Sequence, residues 1–267
     1  MSQVVLITGA SSGIGASIAN FLHNRGYVVY GTSRNPSKSS STDFKMLALD
    51  VTNVASMQKA VEQLITQEGK IDYLINNAGM GITGPIEETP TQEIRRVFET
   101  NYFGALEMIK AVVPKMREQG SGMIINITSI AGYMGLPYRG IYSATKGALG
   151  ITTEAYRMEL KEFNVKMTTV APGDFATNIA AGRYHTPVFE DSPYKKNYSN
   201  TLKLMDEHVD AGMDTVVMAK VIHKIMKTKH PNVHYRVGFF MQKFSIALKR
   251  ILPDTWYEKL LLNHYKL

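Results

Sequence analysis

The sequence predicts an α/β fold: a single doubly wound parallel sheet flanked by helices, continued by a C-terminal amphipathic helical extension. Three observations predict it. Apolar strand-like runs alternate with amphipathic helical patterns from the first residues to about residue 238. Several runs are apolar throughout, such as Val4-Val5-Leu6-Ile7 and Met123-Ile124-Ile125, as strands covered by helices on both faces require. No internal repeat breaks the alternation, and 267 residues is a length one α/β domain can fill.

Strands are expected at residues 4–8, 27–33, 45–50, 72–76, 123–129, 165–171 and 234–238. Helices are expected at 13–24, 53–67, 91–119, 140–163 and 214–227. Asn53 stands where an N-cap accepts a backbone N–H, Glu93 sits in the first turn after Thr91, and Gly120 closes the long third helix. Residues 37–42 read as a polar turn. Residues 180–201 have no clear period and are expected to be irregular, within a substrate loop of about residues 178–213 at the carboxyl edge of the sheet. Residues 1–238 are expected to form one domain, with 239–267 a helical extension packed on it.

Composition narrows the chemistry. The chain has no cysteine, so disulfides, zinc–thiolate sites, Fe–S clusters and a catalytic thiol are excluded. The net charge of +7 is uneven: residues 1–181 are nearly neutral, and residues 182–267 carry +6. No recognition motif accompanies that basic skew, so nucleic acid is not an expected partner. The N-terminus lacks the basic and apolar regions of a signal peptide, and no run reaches the roughly 18 apolar residues of a membrane span. A cytoplasmic protein is expected. His230 and His234 lack further ligands, so no metal is expected. The sequon Asn126-Ile127-Thr128 falls in a buried strand.

The first strand runs into Thr8-Gly9-Ala10-Ser11-Ser12-Gly13-Ile14-Gly15 and then a helix. Glycines here permit a tight turn and close approach of backbone to a pyrophosphate, which the helix N-terminus attracts. Gly9, Ser11, Ser12, Gly13 and Ile14 are therefore candidate cofactor contacts in a Rossmann-type site. The spacing is G-x-x-x-G-x-G rather than G-x-G-x-x-G. The overlapping G-x-S-x-G pattern of a hydrolase elbow needs an oxyanion loop from an earlier strand, and none precedes the first. After the second strand comes Ser33-Arg34 with no carboxylate. Arg34 can fork a ribose 2′-phosphate and Ser33 can donate to it, which favours NADP(H) and leaves NAD(H) open.

Downstream stand Ser129 and Tyr142-Ser143-Ala144-Thr145-Lys146. Tyr142 and Lys146 are four apart, on one helix face. A tyrosine pKa is about 10, and lowering it by about three units takes roughly 4 kcal/mol, which the Lys146 ammonium is expected to help supply.

The glycine loop, Asn76-Asn77-Ala78-Gly79, Asn101, Ser129, Tyr142–Lys146 and Pro172-Gly173 with Thr177 together resemble the short-chain dehydrogenase/reductase family over about residues 4–178. The resemblance implies that Tyr142 is the general acid–base, that Ser129 polarises the substrate oxygen, and that Lys146 holds the nicotinamide ribose. It implies that Asn101 anchors a water-linked proton path. Asp50 and Val51 would meet the adenine, Asn77 and Ala78 a ribose and the backbone, and Pro172, Phe175 and Thr177 the nicotinamide side. The family commonly forms homodimers or homotetramers.

The tail carries Phe240, Phe244, Leu248, Ile251 and Leu252 at helical spacing with basic residues around them. Docking of this stripe on the domain or a dimer partner is preferred over an anionic membrane surface. The tail resembles members of the family that act on hydroxysteroids, retinoids and other lipophilic alcohols. An NADP(H)-dependent oxidoreductase of hydrophobic ketones, aldehydes or the matching alcohols is expected. A 3-oxoacyl-thioester reductase and a non-catalytic NADP(H) sensor are the alternatives.

Overall fold

The computed structural model describes residues 2–38, 43–176, 182–210 and 212–267. Seven strands form one sheet: β1 (Val4–Ile7), β2 (Val28–Ser33), β3 (Lys45–Ala48), β4 (Tyr73–Asn76), β6 (Gly122–Ile127), β7 (Val165–Pro172) and β9 (His234–Val237). Their order is β3-β2-β1-β4-β6-β7-β9, and every pairing is parallel. A separate two-stranded ribbon pairs β5 (Ile82–Thr83) with β8 (Tyr184–His185). The order reverses between β1 and β4, which opens a crevice at the carboxyl ends of those strands.

Helices cover both faces. On one, Ile18, Ala19 and Leu22 of α1 (Gly13–His23) and Met218, Ala219, Ile222 and Ile225 of α7 (Thr215–Met226) pack over Val5, Ile7, Ile75 and Ile125. On the other, α2 (Val54–Glu68) and α4 (Gly104–Gln119) bring Met57, Leu64, Met108, Val112 and Met116 against Leu6, Leu74 and Ile124. Alternate residues of β1 thus belong to opposite layers, as the period of two demands. The Asn53 side chain accepts from Ser56 N at 3.0 Å, capping α2, and Asp214 caps α7 through Val216 N at 2.9 Å.

Expected elements are corrected in three places. The helix read as continuous over 91–119 is α3 (Thr91–Phe98), a π-turn at Glu99–Phe103, and then α4. The irregular stretch 180–201 contains β8 and the start of a helix, α6 (Lys195–Asp210). The tail stripe, expected to dock on the domain or on a dimer partner, is covered only in part by its own chain. In α8 (Phe240–Ile251) and α9 (Asp254–Tyr265), Ile246 and Tyr257 join Ile130 and Met134 in a cluster that Leu248 and Leu252 adjoin, while Phe240, Phe244 and Ile251 are exposed. The predicted helix over 140–163 ends as α5 (Gly140–Glu159), followed by a short 3-10 turn.

Candidate active site

The carboxyl edge of the sheet collects the predicted residues. At β1, Gly9 (φ +66°) and Gly13 (φ +56°) hold the left-handed backbone that turns the chain into α1. The loop is locked from the neighbouring strand. Asn77 Nδ2 donates to the carbonyls of Thr8 (3.0 Å) and Gly9 (2.9 Å), while Thr8 Oγ1 accepts from the N–H groups of Asn77 and Ala78, both at 3.0 Å. Gly15, not singled out above, is the tightest point: a Cβ there would lie 2.3 Å from the Gly9 carbonyl oxygen. Ser11 and Ser12 are exposed at the start of α1, and Ile14 lines the cavity described below.

At the end of β2, Ser33 Oγ is buried with no hydrogen-bond partner among the described residues, and Arg34 beside it is exposed. A buried orphan hydroxyl is costly unless something bonds it. This hydroxyl, the exposed guanidinium and the glycine cradle fit a nicotinamide dinucleotide. Asp50 Oδ1 accepts from the Thr52 N–H and hydroxyl at 2.9 and 2.8 Å. Val51 packs with its carbonyl against Gly104, where a Cβ would come within 2.4 Å.

Asn101 stands in the π-turn, 1% exposed. Its Oδ1 accepts from Met80 N at 2.8 Å and its Nδ2 donates to Met80 O at 2.9 Å and Thr145 Oγ1 at 3.1 Å. The side chain is thus committed to holding the loop after β4 against α5. Gly79 lies in that loop; a Cβ there would sit 3.3 Å from Asn101 Oδ1 and 3.4 Å from Lys146 Nζ.

Ser129 follows β6 and its Oγ accepts from Ala131 N at 3.1 Å. Its side chain also lies close to Tyr142 in the first turn of α5 and draws that residue's pKa downward. The expected route to an acidified tyrosine draws on Lys146 together with an oxidised nicotinamide. Burial pushes the Tyr142 pKa above its ordinary value. The opposing pull comes first from Arg139, then from Ser129 and Arg183, while Asp174 pushes upward. Lys146 Nζ stands 6.0 Å from the Tyr142 ring centroid and donates to Ile127 O at 3.0 Å. Its own pKa is lowered to about 8 by burial. Tyr142 is therefore a neutral phenol at pH 7, suited to giving a proton.

Arg139 is the functional neighbour that the sequence reading missed. Tyr138 occupies the left-handed region (φ +57°) and turns the chain so that the Arg139 guanidinium lies 5.7 Å from the Tyr142 ring centroid. Arg139 also lies close enough to Tyr265 near the end of α9 to lower its pKa, and both line one cavity with Tyr142, so the tail reaches the start of α5. No periodicity or motif marks such a contact.

Beyond β7, Gly173 leaves no room for a side chain, because a Cβ would fall 2.0 Å from Gln242 Oε1. Gln242 Nε2 donates to Asp174 Oδ2 at 2.5 Å and ties α8 to this turn. Pro172 and Phe175 line the cavity, and Phe175 is also part of the core cluster over α1 and α7. Thr177 lies outside the described residues. The cavity measures about 600 Å³, with Ser129 and Tyr142 on its floor and Met134, Leu136, Leu248, Leu260 and Leu261 in its walls.

A sequence profile described as short chain dehydrogenase matches residues 3–187. A 3-ketodihydrosphingosine reductase from Bacteroides thetaiotaomicron is 41% identical over 254 residues, covering 95% of this chain and 94% of that protein. A short-chain dehydrogenase from Streptomyces avermitilis has a similar structure, with a TM-score of 0.83 at 28% identity, covering 100% of this chain and 96% of the other. A short-chain dehydrogenase from Burkholderia cenocepacia, solved in complex with NADP, gives a TM-score of 0.77 at 25% identity over 97% and 98% of the two chains. The protein belongs to the short-chain dehydrogenase/reductase family, whose oxidoreductases interconvert CH–OH and carbonyl groups.

Proposed function

We propose that the protein reduces the ketone of a long-chain, mostly apolar substrate, with NADPH as the reductant. The observation that carries this reading is the pairing of buried Tyr142 and Ser129 on the floor of an apolar cavity of about 600 Å³, a size that suits a small-molecule ligand. The first substrate to test is a ketone of the 3-ketodihydrosphingosine kind, after the name of the Bacteroides relative.

When bound, the nicotinamide supplies hydride to the carbonyl carbon. The chain supplies the rest. Ser129 and Tyr142 line the same cavity, where their hydroxyls would donate to the carbonyl oxygen as negative charge builds on it. Tyr142 then gives that oxygen its proton. The Arg139 and Arg183 guanidiniums stabilise the phenolate left behind. Lys146 is charged below about pH 8 and is the group assigned to the nicotinamide ribose. Asn101 acts as a positioning residue through Met80 and Thr145.

Preference for NADPH is supported by Ser33 Oγ and Arg34, with no carboxylate at the end of β2. Residues 239–267 are assigned to the wall of the substrate cavity on the same domain, supported by Leu248, Leu260 and Leu261 in its lining. A homodimer or homotetramer through α4 and α5 belongs to the same reading. Ile151 and Met158, two helical turns apart on α5 and 71% and 72% exposed, support it.

The test follows NADPH and NADH oxidation separately against long-chain amino ketones, 3-oxoacyl thioesters and short polar ketones. Efficient turnover of the long-chain ketones is expected. In Arg34→Ala the KM for NADPH should rise about tenfold while that for NADH stays unchanged. Turnover confined to short polar ketones, or to thioesters, would remove the substrate assignment.

A further inference from the structure

The outer face of α8 and α9 gathers large apolar side chains in water: Phe240 is 72% exposed, Met241 66%, Ile251 77% and Trp256 63%. Phe240, Phe244 and Ile251 stand at i, i+4 and i+11, one stripe of α8, and the first two rings stack 5.7 Å apart at 12°. The helix's buried contact, Ile246, lies on another side. Lys243 and Arg250, both exposed and seven residues apart, form a second stripe beside the apolar one. Residues 216–267 hold ten Lys and Arg against two acidic residues. Apolar groups flanked by cations complement a surface that is apolar within and anionic at its edge.

The patch is continuous with the cavity. Phe239, Met241 and Leu260 are exposed to water and also line the pocket that holds Tyr142. No helix among the described residues is long and apolar enough to cross a membrane, so contact with lipid would be by this face rather than by a span. We propose that the α8–α9 rim docks on an anionic lipid bilayer. Phe240, Phe244, Ile251 and Trp256 enter the interface, Lys243 and Arg250 meet the lipid phosphates, and the cavity mouth faces the acyl layer. The use of that mouth rests on the substrate reading above; the docking itself does not.

Trp256 is the sole tryptophan, so its emission reports the event without a label. The full chain, with neither cofactor nor ketone, is titrated with phosphatidylcholine vesicles with and without phosphatidylglycerol. A blue shift and co-sedimentation are expected with the anionic vesicles, and both should weaken as salt is raised. Phe240→Ser and Ile251→Ser should each lower partitioning about tenfold, as loss of a large buried apolar group predicts, while reduction of a short soluble ketone stays unchanged. Absence of a shift would overturn the proposal. Equal binding to neutral vesicles would overturn its anionic part. A shift that follows protein concentration in lipid-free buffer would give the face to a second copy of the chain instead.

Discussion

Lys146 is held in a place that the fold alone would give to an apolar residue. It is 5% exposed, and burial brings its pKa down to about 8. Between that value and the ordinary one near 10.5, the unfolded chain binds a proton that the folded chain does not, so this residue makes stability rise with pH across that window. Lys146→Met should therefore abolish turnover yet raise unfolding free energy at pH 7 by about 1–3 kcal/mol, with the gap narrowing above about pH 8. Urea unfolding of both proteins across pH checks this; a gap independent of pH would contradict it. Ser129, Tyr142, Lys146 and the glycine loop were legible because their chemistry demands particular residue types at fixed spacings. Arg139 and Gln242 were not. Arg139 acts through a left-handed turn at Tyr138, and Gln242 meets Asp174 across 68 residues of chain.

At the scale of elements, the β1–α1 turn is set by contact more than by flexibility. In Gly15→Ala the new methyl would meet the Gly9 carbonyl, a backbone atom that cannot move aside. A loss of about 2 kcal/mol or more is expected, together with weaker NADPH binding. Gly150→Ala is the control: it faces open space in the interior of α5 and should stabilise by about 0.5–1 kcal/mol. Thermal melts and cofactor titrations of the two variants decide the matter, and equal stability would contradict the account. The strands of the main sheet were readable because continuous apolar runs suit few other environments, although their ends differ by a residue or two. The π-turn was not, because 91–119 keeps a helical period and the break is stabilised from outside, by Asn101 on the Met80 backbone. Helix α6 was missed because one of its inward positions is polar: Tyr198, Thr201 and Met205 are all buried at i, i+3 and i+7.

For the molecule as a whole, the cavity joins groups far apart in the chain, from Ile14 after β1 to Tyr265 near the C-terminus. Its floor holds Ser129 and Tyr142, and much of its wall comes from α8 and α9, so the two are separable by mutation. Leu261→Trp fills the wall side without touching Tyr142. The KM for a long-chain ketone should rise about tenfold while turnover of a short ketone and cofactor affinity hold; parallel losses for both substrates would contradict the division. The doubly wound order follows from alternating strands and helices, and was readable. The tail was only half readable, because helical spacing identifies a stripe without saying what covers it. Leu248 and Leu252 face protein, whereas Phe240, Phe244 and Ile251 face water.

The central claim is that the Tyr142 hydroxyl delivers the proton that completes reduction. Steady-state reduction of a long-chain ketone by Tyr142→Phe, read alongside NADPH binding by fluorescence, tests it most directly. Turnover should fall by at least about a hundredfold. Cofactor affinity should stay within about threefold, because the glycine loop and Arg34 are untouched. Turnover near that of the unmodified protein would contradict the account.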